Sequence, residues 1–408
     1  MKGLSLIAEF FKNKKLFTYF FLGLALRLIF MPISFHRWEA QTWVNVGYDV
    51  LTGINPYTHF LNLPKIGSEY YGYWAYPPLF LYILLPFYKI IFPYRTPFMF
   101  IETTEFTTMP LFVNLILKLP MLIFDIAIAF LLFYILKPKG ADAAIKGVAL
   151  WMLNPLSIFI TSIWGNFESI PIFFTLLSLI TAKMAQTKLS ATSLALGIAA
   201  KIYPATLLPL YMLSAKKKLT YIFTCIVAVF LVCSPFLFAD VNAFIFAVLK
   251  FHSERIGGCI TFWAIAWLNW FPRDVFVLIQ NIFFLVSFLV FQFLLYRKRS
   301  NNKSLEKLNV LNILYLLAFI LSSKLVNEQY ALWIIPFFII YFSERKVESW
   351  YYVYTIFPLF FIALNASLNY FFFGIHWHFP FQYEILVVLG IAFYVLCFYI
   401  FYKFYTKL

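Results

Sequence analysis

Residues 110–136 read PLFVNLILKLPMLIFDIAIAFLLFYIL. A helix that crosses a bilayer needs about 20 mainly apolar residues. This run exceeds that length and carries two charges, Lys118 and Asp125. Its apolar residues are continuous, whereas a membrane β-strand alternates over about 10 residues. Similar runs lie at 16–34, 145–163, 168–183, 219–238, 275–296, 307–323, 329–343, 349–371 and 383–403. The chain of 408 residues is 63% hydrophobic, 22% aromatic and 12% charged. Soluble domains average roughly 25% charge, which excludes a soluble enzyme, a disordered chain and a nucleic-acid-binding module. The formal charge of +15 then reads as the Lys/Arg bias of cytoplasmic loops and not as affinity for nucleic acid. The expected fold is all-α: a polytopic transmembrane helical bundle with about 10–13 membrane-embedded segments.

Three stretches interrupt this pattern. Residues 74–93 contain Pro77, Pro78, Pro86 and Pro93, residues 189–214 are broken by Lys201-Ile202-Tyr203-Pro204, and the apolar run 259–271 is short. Basic clusters at Lys12 to Lys15, 137–140, Lys183 with Lys188, 216–218, 297–299, 345–346 and the C-terminal YKFYTKL mark cytoplasmic ends. They place both termini in the cytoplasm, with 16–34 kept as a first span. The assignments agree if 74–93 dips in or lies flat and 189–214 forms a broken hairpin, as broken helices do where they line a cavity. The long first outer loop is then 35–109. Residues 1–238 form a first membrane module and 239–408 a second, within one integrated membrane domain. Cys225, Cys233, Cys259 and Cys397 have no metal-site spacing and are expected to be small buried hydrophobes.

Within that loop, HRWEAQTWVNVGYDVLTGINPY (36–57) predicts an amphipathic helix lying along the interface, ended by Gly53. Ala40, Trp43, Val44, Val46, Gly47, Val50 and Leu51 share its apolar arc. Thr42, Asn45 and Asp49 face the wet side, which makes Asp49 a solvated charge. Glu39 lies in the first turn near the edge of the apolar arc. It reads either as an interfacial acid favoured by the helix N-terminus or as a general base for an acceptor hydroxyl. The aromatic stretch YYGYWAYPPLF at 70–80 fits an interface belt or a wall on which a sugar stacks.

Glu39-Ala40-Gln41 followed by Tyr76-Pro77-Pro78-Leu79 resembles the dolichyl-phosphate-glucose glucosyltransferases of N-glycan assembly, within the GT-C superfamily of membrane glycosyltransferases. Gly53 to Tyr57, Gly165-Asn166 with Ser169, Lys201 to Pro204, and Lys324 followed by Gln329-Tyr330 and Trp333 resemble the GPI mannosyltransferase I catalytic family and related polyprenyl-phosphate-mannose enzymes. The resemblance runs over about residues 20–335 in the right order. Arg37 stands where those families usually place an Asp, so the resemblance carries the base role only to Glu39. Ala75 likewise replaces an Asp common before the YPPL string.

Ionisable groups at membrane depth are costly and mark function or structure. Arg27, Lys118, Asp125 and Lys201 are of this kind. Lys118 and Asp125 share a helix face two turns apart and read as supports that help each other or pair with neighbouring helices. Lys201 faces the proline break, where it satisfies freed backbone groups, snorkels or serves a site. Asn166 and Glu168 lie at a hairpin tip and read as a polar turn or as sugar and acceptor contacts, and Tyr76 and Gln329 are further candidates for such contacts. His252, Arg255 and Lys324 are expected to hold a donor phosphate or to be ordinary loop charges, and Gly257-Gly258 would let backbone approach. His376-Trp377-His378 offers two metal ligands and no third nearby and reads as an interfacial aromatic loop; a divalent metal stays an unsupported alternative, and no cofactor is predicted.

The resemblance implies a transferase that moves a hexose, mannose favoured because more of the matching strings resemble mannosyltransferases, from a polyprenyl- or dolichyl-phosphate donor to a lipid-linked or glycan acceptor on the outer or lumenal face. The anomeric carbon is inverted in one displacement. The rival expectations are a transporter or flippase, which would also use broken helices, and an inactive scaffold of the same superfamily. The bilayer is the plasma membrane or the endoplasmic reticulum.

Overall fold

The computed structural model describes residues 9–62, 73–94, 110–270, 272–298, 304–373 and 378–408. The chain is almost wholly helical. Its elements are α1 (Lys14–Ile33), α2 (Arg37–Thr52), α3 (Pro56–Asn62), α4 (Leu79–Ile91), α5 (Leu111–Leu136), α6 (Ala141–Met152), α7 (Pro155–Trp164), α8 (Ser169–Lys183) and α9 (Thr187–Ala200). There follow α10 (Leu208–Ser214), α11 (Lys218–Ala239), α12 (241–254), α13 (Arg273–Arg297), α14 (Leu305–Ser322), α15 (Glu328–Phe342), α16 (Ser349–Asn365), α17 (Leu368–Phe373) and α18 (Gln382–Tyr405). Among the described residues, six helices (α1, α5, α11, α13, α14 and α18) are long and apolar enough to cross a membrane, and the bent pair α6–α7 makes a seventh.

The other apolar runs are cut short for visible reasons. The run 145–163 bends by 42° between α6 and α7. There Asn154 leaves helical geometry and caps α7, its side chain accepting from the Ser157 amide at 3.0 Å. Proline follows at the first helical position, where its missing N–H is harmless. At the end of α9, Lys201 is extended (φ −156°, ψ 141°). Pro204 has no N–H to continue the helical ladder, and a short 3-10 turn, Tyr203–Leu207, carries the chain into α10. Helix α4 has 13 residues, about 20 Å at 1.5 Å per residue, which is too short to cross. The run 259–271 becomes a two-residue strand, β1 (Gly258–Cys259), and a 3-10 turn, Phe262–Leu268.

Burial orders the bundle. In α14, 78% of the best apolar window is buried, against 11% in both α11 and α13. Helix α14 is therefore the central post, and α11 and α13 present most of their apolar surface outward.

Helices α1, α5, α6 and α7 are joined by a buried polar knot. Arg27 Nε donates to Asp125 Oδ2 at 2.7 Å. Its two terminal nitrogens reach the Met152 carbonyl at 2.6 Å, the Gly23 carbonyl at 3.1 Å and the Ser157 hydroxyl at 2.8 Å. Thr161 donates to the same Asp125 oxygen at 2.7 Å. Gly23 permits this crossing, because a Cβ there would lie 2.4 Å from the Met152 carbonyl oxygen. Lys118 does not pair with Asp125. Its ammonium donates to the carbonyls of Ser34, of Met31 at 3.1 Å, of Ser162 at 2.7 Å and of Ile163 at 3.3 Å. These are C-terminal carbonyls of α1 and α7, which lack intrahelical partners and attract a cation. Arg27 is fully buried and does not snorkel.

Lys118 thus fixes where α1 and α7 end, and the chain turns there into its candidate site. The His36 amide donates to the Trp164 carbonyl at 2.9 Å, and the Phe35 amide to the Phe371 carbonyl at 2.9 Å.

Candidate functional site

Helix α2 runs as the amphipathic pattern predicts, with Gly53 at φ +79° closing it. Ala40, Trp43, Val44, Val46 and Gly47 of its apolar arc are buried, Val50 and Leu51 are half-buried, and Trp43 donates to the Gly165 carbonyl at 3.0 Å. The expectation that Asp49 is a solvated charge is overturned. Asp49 is buried and 2.7 Å from Nδ1 of His59 on α3, because α3 folds back over the side that spacing alone leaves wet. Thr42 is buried as well.

Glu39 is buried in the first turn of α2. Its Oε1 accepts from Asn166 Nδ2 at 2.9 Å, and its Oε2 lies 2.5 Å from Nδ1 of His36. His36 itself stacks on Trp164, with ring centres 4.8 Å apart. Burial pushes the Glu39 carboxyl up, but the neighbouring His36 and hydrogen bonding from His36, Trp164 and Asn166 outweigh it. The net position is below the ordinary value, so Glu39 is a carboxylate near neutral pH.

Asn166 follows Gly165, whose φ of +82° ends the π-turn of α7. Two residues on, Glu168 is fully buried with both oxygens engaged. Lys201 Nζ lies 2.5 Å from Oε1, and Trp333 Nε1 donates to Oε2 at 2.7 Å. The proline break therefore delivers Lys201 to an ion pair, and snorkelling is not its role. Its ammonium lies 5.0 Å from the Tyr76 ring, 5.1 Å from Phe167 and 5.4 Å from Tyr330. Trp333 is sandwiched by Tyr203 at 3.7 Å and Tyr330 at 4.2 Å.

The phosphate candidates come together through a small parallel ladder. Strand β1 pairs with β2 (Leu325–Val326), the Gly258 amide donating to the Lys324 carbonyl at 3.0 Å and the Ile260 amide to the Val326 carbonyl at 3.0 Å. A Cβ on Gly257 would lie 2.1 Å from the Lys324 carbonyl oxygen. The close approach that Gly257 permits is thus to the chain's own backbone. Lys324 Nζ donates to the Ser253 carbonyl at 2.7 Å. Burial, and then the charge of Arg255, lower the Lys324 ammonium to about 8. Arg255 is exposed. His252 lies 2.8 Å from the Ala75 carbonyl. Burial lowers it to about 4, with the cations Arg255, Lys201 and Lys324 adding to the effect. It is a neutral anchor for the Tyr76 segment and not a third cation.

Tyr76 stands among these groups. Its hydroxyl is shifted up by burial and then by Glu39, with Glu168 raising it further and Arg255 opposing. The structure therefore gathers Glu39, Asn166, Glu168, Lys201 and Tyr76 into one constellation with Arg255 and Lys324 at its edge. Gln329 is buried, and among the described residues its Oε1 and the Asn166 Oδ1 have no hydrogen-bond partner. Buried acceptors left open are unusual and suit a ligand's hydroxyls. Lys118 and Asp125 belong to the bundle below.

Sequence reasoning gave no role to Glu328, which is buried and accepts from Asn365 at 3.4 Å, within the electrostatic reach of His36 and Glu39. It also missed His36 as the partner of Glu39. The i,i+3 spacing of His36 and Glu39 was the available signal. Residues 70–72, His376 and Trp377 lie outside the described residues. His378 lies 3.1 Å from Gln382. No protein-family model matches the chain, and no curated protein matches it at a significant level.

Proposed function

We propose that the chain is an integral membrane glycosyltransferase that moves a hexose, mannose favoured, from a polyprenyl- or dolichyl-phosphate donor to a lipid-linked or glycan acceptor, with inversion. The single observation that carries this reading is the convergence on Tyr76 of the Glu39 carboxylate and the cations Lys201 and Arg255, with Lys324 coupled to Arg255, all drawn from segments remote in sequence. In this scheme Glu39 accepts the acceptor's hydroxyl proton. The acceptor oxygen bonds to the anomeric carbon as the carbon–phosphate-oxygen bond breaks, and the lipid phosphate leaves with the electron pair. Arg255 and Lys324 neutralise the charge that grows on it. Glu168 is committed to Lys201 and Trp333, so its part is to shape the sugar pocket. Tyr76, Asn166 and Gln329 offer the ring face and the open acceptors that sugar hydroxyls use.

The basic ends of the helices support a reading in which both termini are cytoplasmic and the site faces the outer or lumenal side of a plasma or endoplasmic-reticulum membrane.

The test uses the full-length protein with radiolabelled polyprenyl-phosphate mannose or glucose and a membrane lipid extract. Wild type is expected to yield labelled product, and Glu39→Gln to lower turnover by about 10²–10⁴-fold. Undiminished turnover in Glu39→Gln would remove Glu39 from the base role. Uptake of label into liposomes without product would make the protein a transporter.

A further inference from the structure

Residues 169–239 contain no Asp or Glu, and six of them are lysines. Lys201 is spent on Glu168. The other five, Lys183, Lys188, Lys216, Lys217 and Lys218, are exposed, and none has an ion-pair partner among the described residues. They form one corner of the bundle. Lys183 ends α8, and Lys188 lies in the first turn of α9, just across the turn that joins them. Ser190 of α9 meets Tyr221 of α11, their hydroxyl oxygens 3.4 Å apart. The first turns of α9 and α11 therefore stand side by side, which brings Lys183 and Lys188 together with Lys216 to Lys218.

Helix stability does not account for these charges. Neither α9 nor α11 has an acid in its first turn, and a cation at a helix N-terminus opposes the helix dipole. Other basic helix ends show that a bare charge is not required there. Lys137 pairs with Glu9, Lys139 with Glu344 at 2.7 Å, Arg345 with Glu306 and Lys403 with Glu348. Those ends take their counter-ions from the chain, and this corner must take its own from outside. Apolar side chains stand among the charges. Met184 and Leu189 are exposed, Leu219 is 84% exposed, and Phe223, one turn further along the same face of α11, is 70% exposed. Helix α11 is long and apolar enough to cross a membrane and begins at Lys218. In a bilayer its lysines then stand at the level of the headgroups, with Leu219 and Phe223 at the edge of the hydrocarbon.

We propose that this corner is a docking surface for the anionic phospholipids of the adjacent leaflet. The lysines hold the headgroup phosphates, while Leu189, Leu219 and Phe223 lie against acyl chains. Clusters of about four to eight basic residues at the end of a span recruit acidic lipids in this way. A zwitterionic headgroup brings its own cation and neutralises nothing. A soluble acidic partner would match the charges but gives no account of the apolar side chains among them. The proposal rests on the bundle sitting in a bilayer and is independent of the transferase chemistry.

The experiment is native mass spectrometry of the full-length protein in detergent, titrated with phosphatidylglycerol or phosphatidylcholine. Wild type is expected to bind phosphatidylglycerol about tenfold more tightly, a preference that shrinks as salt is raised. Lys216→Gln with Lys217→Gln should cut the preference to about threefold or less. Lys137→Gln with Lys139→Gln removes the same charge from a paired end and should leave the preference intact. Should that control fail to fold, Lys183→Gln with Lys188→Gln, from the other half of the corner, must reproduce the fall. Equal affinity of wild type for the two lipids would overturn the proposal. So would an equal fall in the corner variant and the paired-end control, which would make net charge and not this corner the cause. Capture of a poly-glutamate peptide without any lipid preference would assign the corner to an acidic protein instead.

Discussion

Two buried charge clusters lie close together in this molecule and are built differently. In the Arg27–Asp125 knot every nitrogen of Arg27 is engaged and one Asp125 oxygen also takes Thr161, while the other Asp125 oxygen has no partner among the described residues. The Glu39 constellation is open. Asn166 and Gln329 keep unused acceptors, and Arg255 reaches solvent. Both clusters leave a buried acceptor unfilled, and what sets the Glu39 constellation apart is the exposed cation Arg255 at its edge. The contrast separates a wholly buried charge cluster from one that reaches the surface.

Breaking the wholly buried cluster should have the largest effect on stability. Asp125→Ala leaves Arg27 buried and unpaired, and is expected to cost about 3–5 kcal/mol, seen as a large fall in Tm of the detergent-solubilised protein. Arg27→Met with Asp125→Leu should recover most of that loss, since replacing a whole buried pair by apolar groups is often near neutral. A double variant no better than Asp125→Ala would erase the distinction drawn here. Glu39→Gln gives the complementary pattern, with activity lost and Tm nearly kept.

Gly257→Ala sharpens the open side. Its Cβ would collide with a backbone atom, the Lys324 carbonyl oxygen, so the β1–β2 ladder must part and carry Arg255 away from Lys324. The expected result is about a tenfold rise in donor KM with little change in kcat, the loss of roughly one charge-assisted contact. A loss of kcat at unchanged KM would place the ladder elsewhere in the mechanism.

The smallest effect is a pH dependence. The Lys324 ammonium, lowered to about 8 by burial and by Arg255, is charged at pH 7 and neutral well above pH 8. A phosphate binds the charged form, so donor KM should stay low below pH 8 and rise as pH climbs through it. Lys324→Arg should flatten that rise, because guanidinium stays protonated. A donor KM independent of pH from 7 to 9 would take Lys324 off the phosphate.

Much of the bundle was legible in the sequence, because continuous apolar runs of span length have few other uses. The break at Lys201 to Pro204 was legible too, since proline removes a ladder donor, but the one at Asn154-Pro155 was not, because 145–163 is continuous in hydropathy. Pairings were not legible either. The seven-residue spacing put Lys118 and Asp125 on one face of α5, yet neither is the other's partner. Arg27 comes from α1, and the carbonyls that hold Lys118 come from two helix ends, none of which helical periodicity reports. Asp49 failed for the same reason: a helical wheel knows one helix, and α3 covers the side it leaves to solvent.

The sequence by itself determined that most of this chain is apolar helix, where some of those helices break, and which scarce polar residues stand at their ends. These properties are local, set by side-chain hydropathy and backbone geometry over a few turns. The tertiary structure alone decided which charges neutralise one another and which reach the surface. Glu168 takes Lys201 and Trp333, Glu39 takes His36 and Asn166, and Gly257 brings Arg255 beside Lys324. Buried charges are satisfied by whatever lies within about 3 Å, and at that range the neighbours come from segments far apart in the chain.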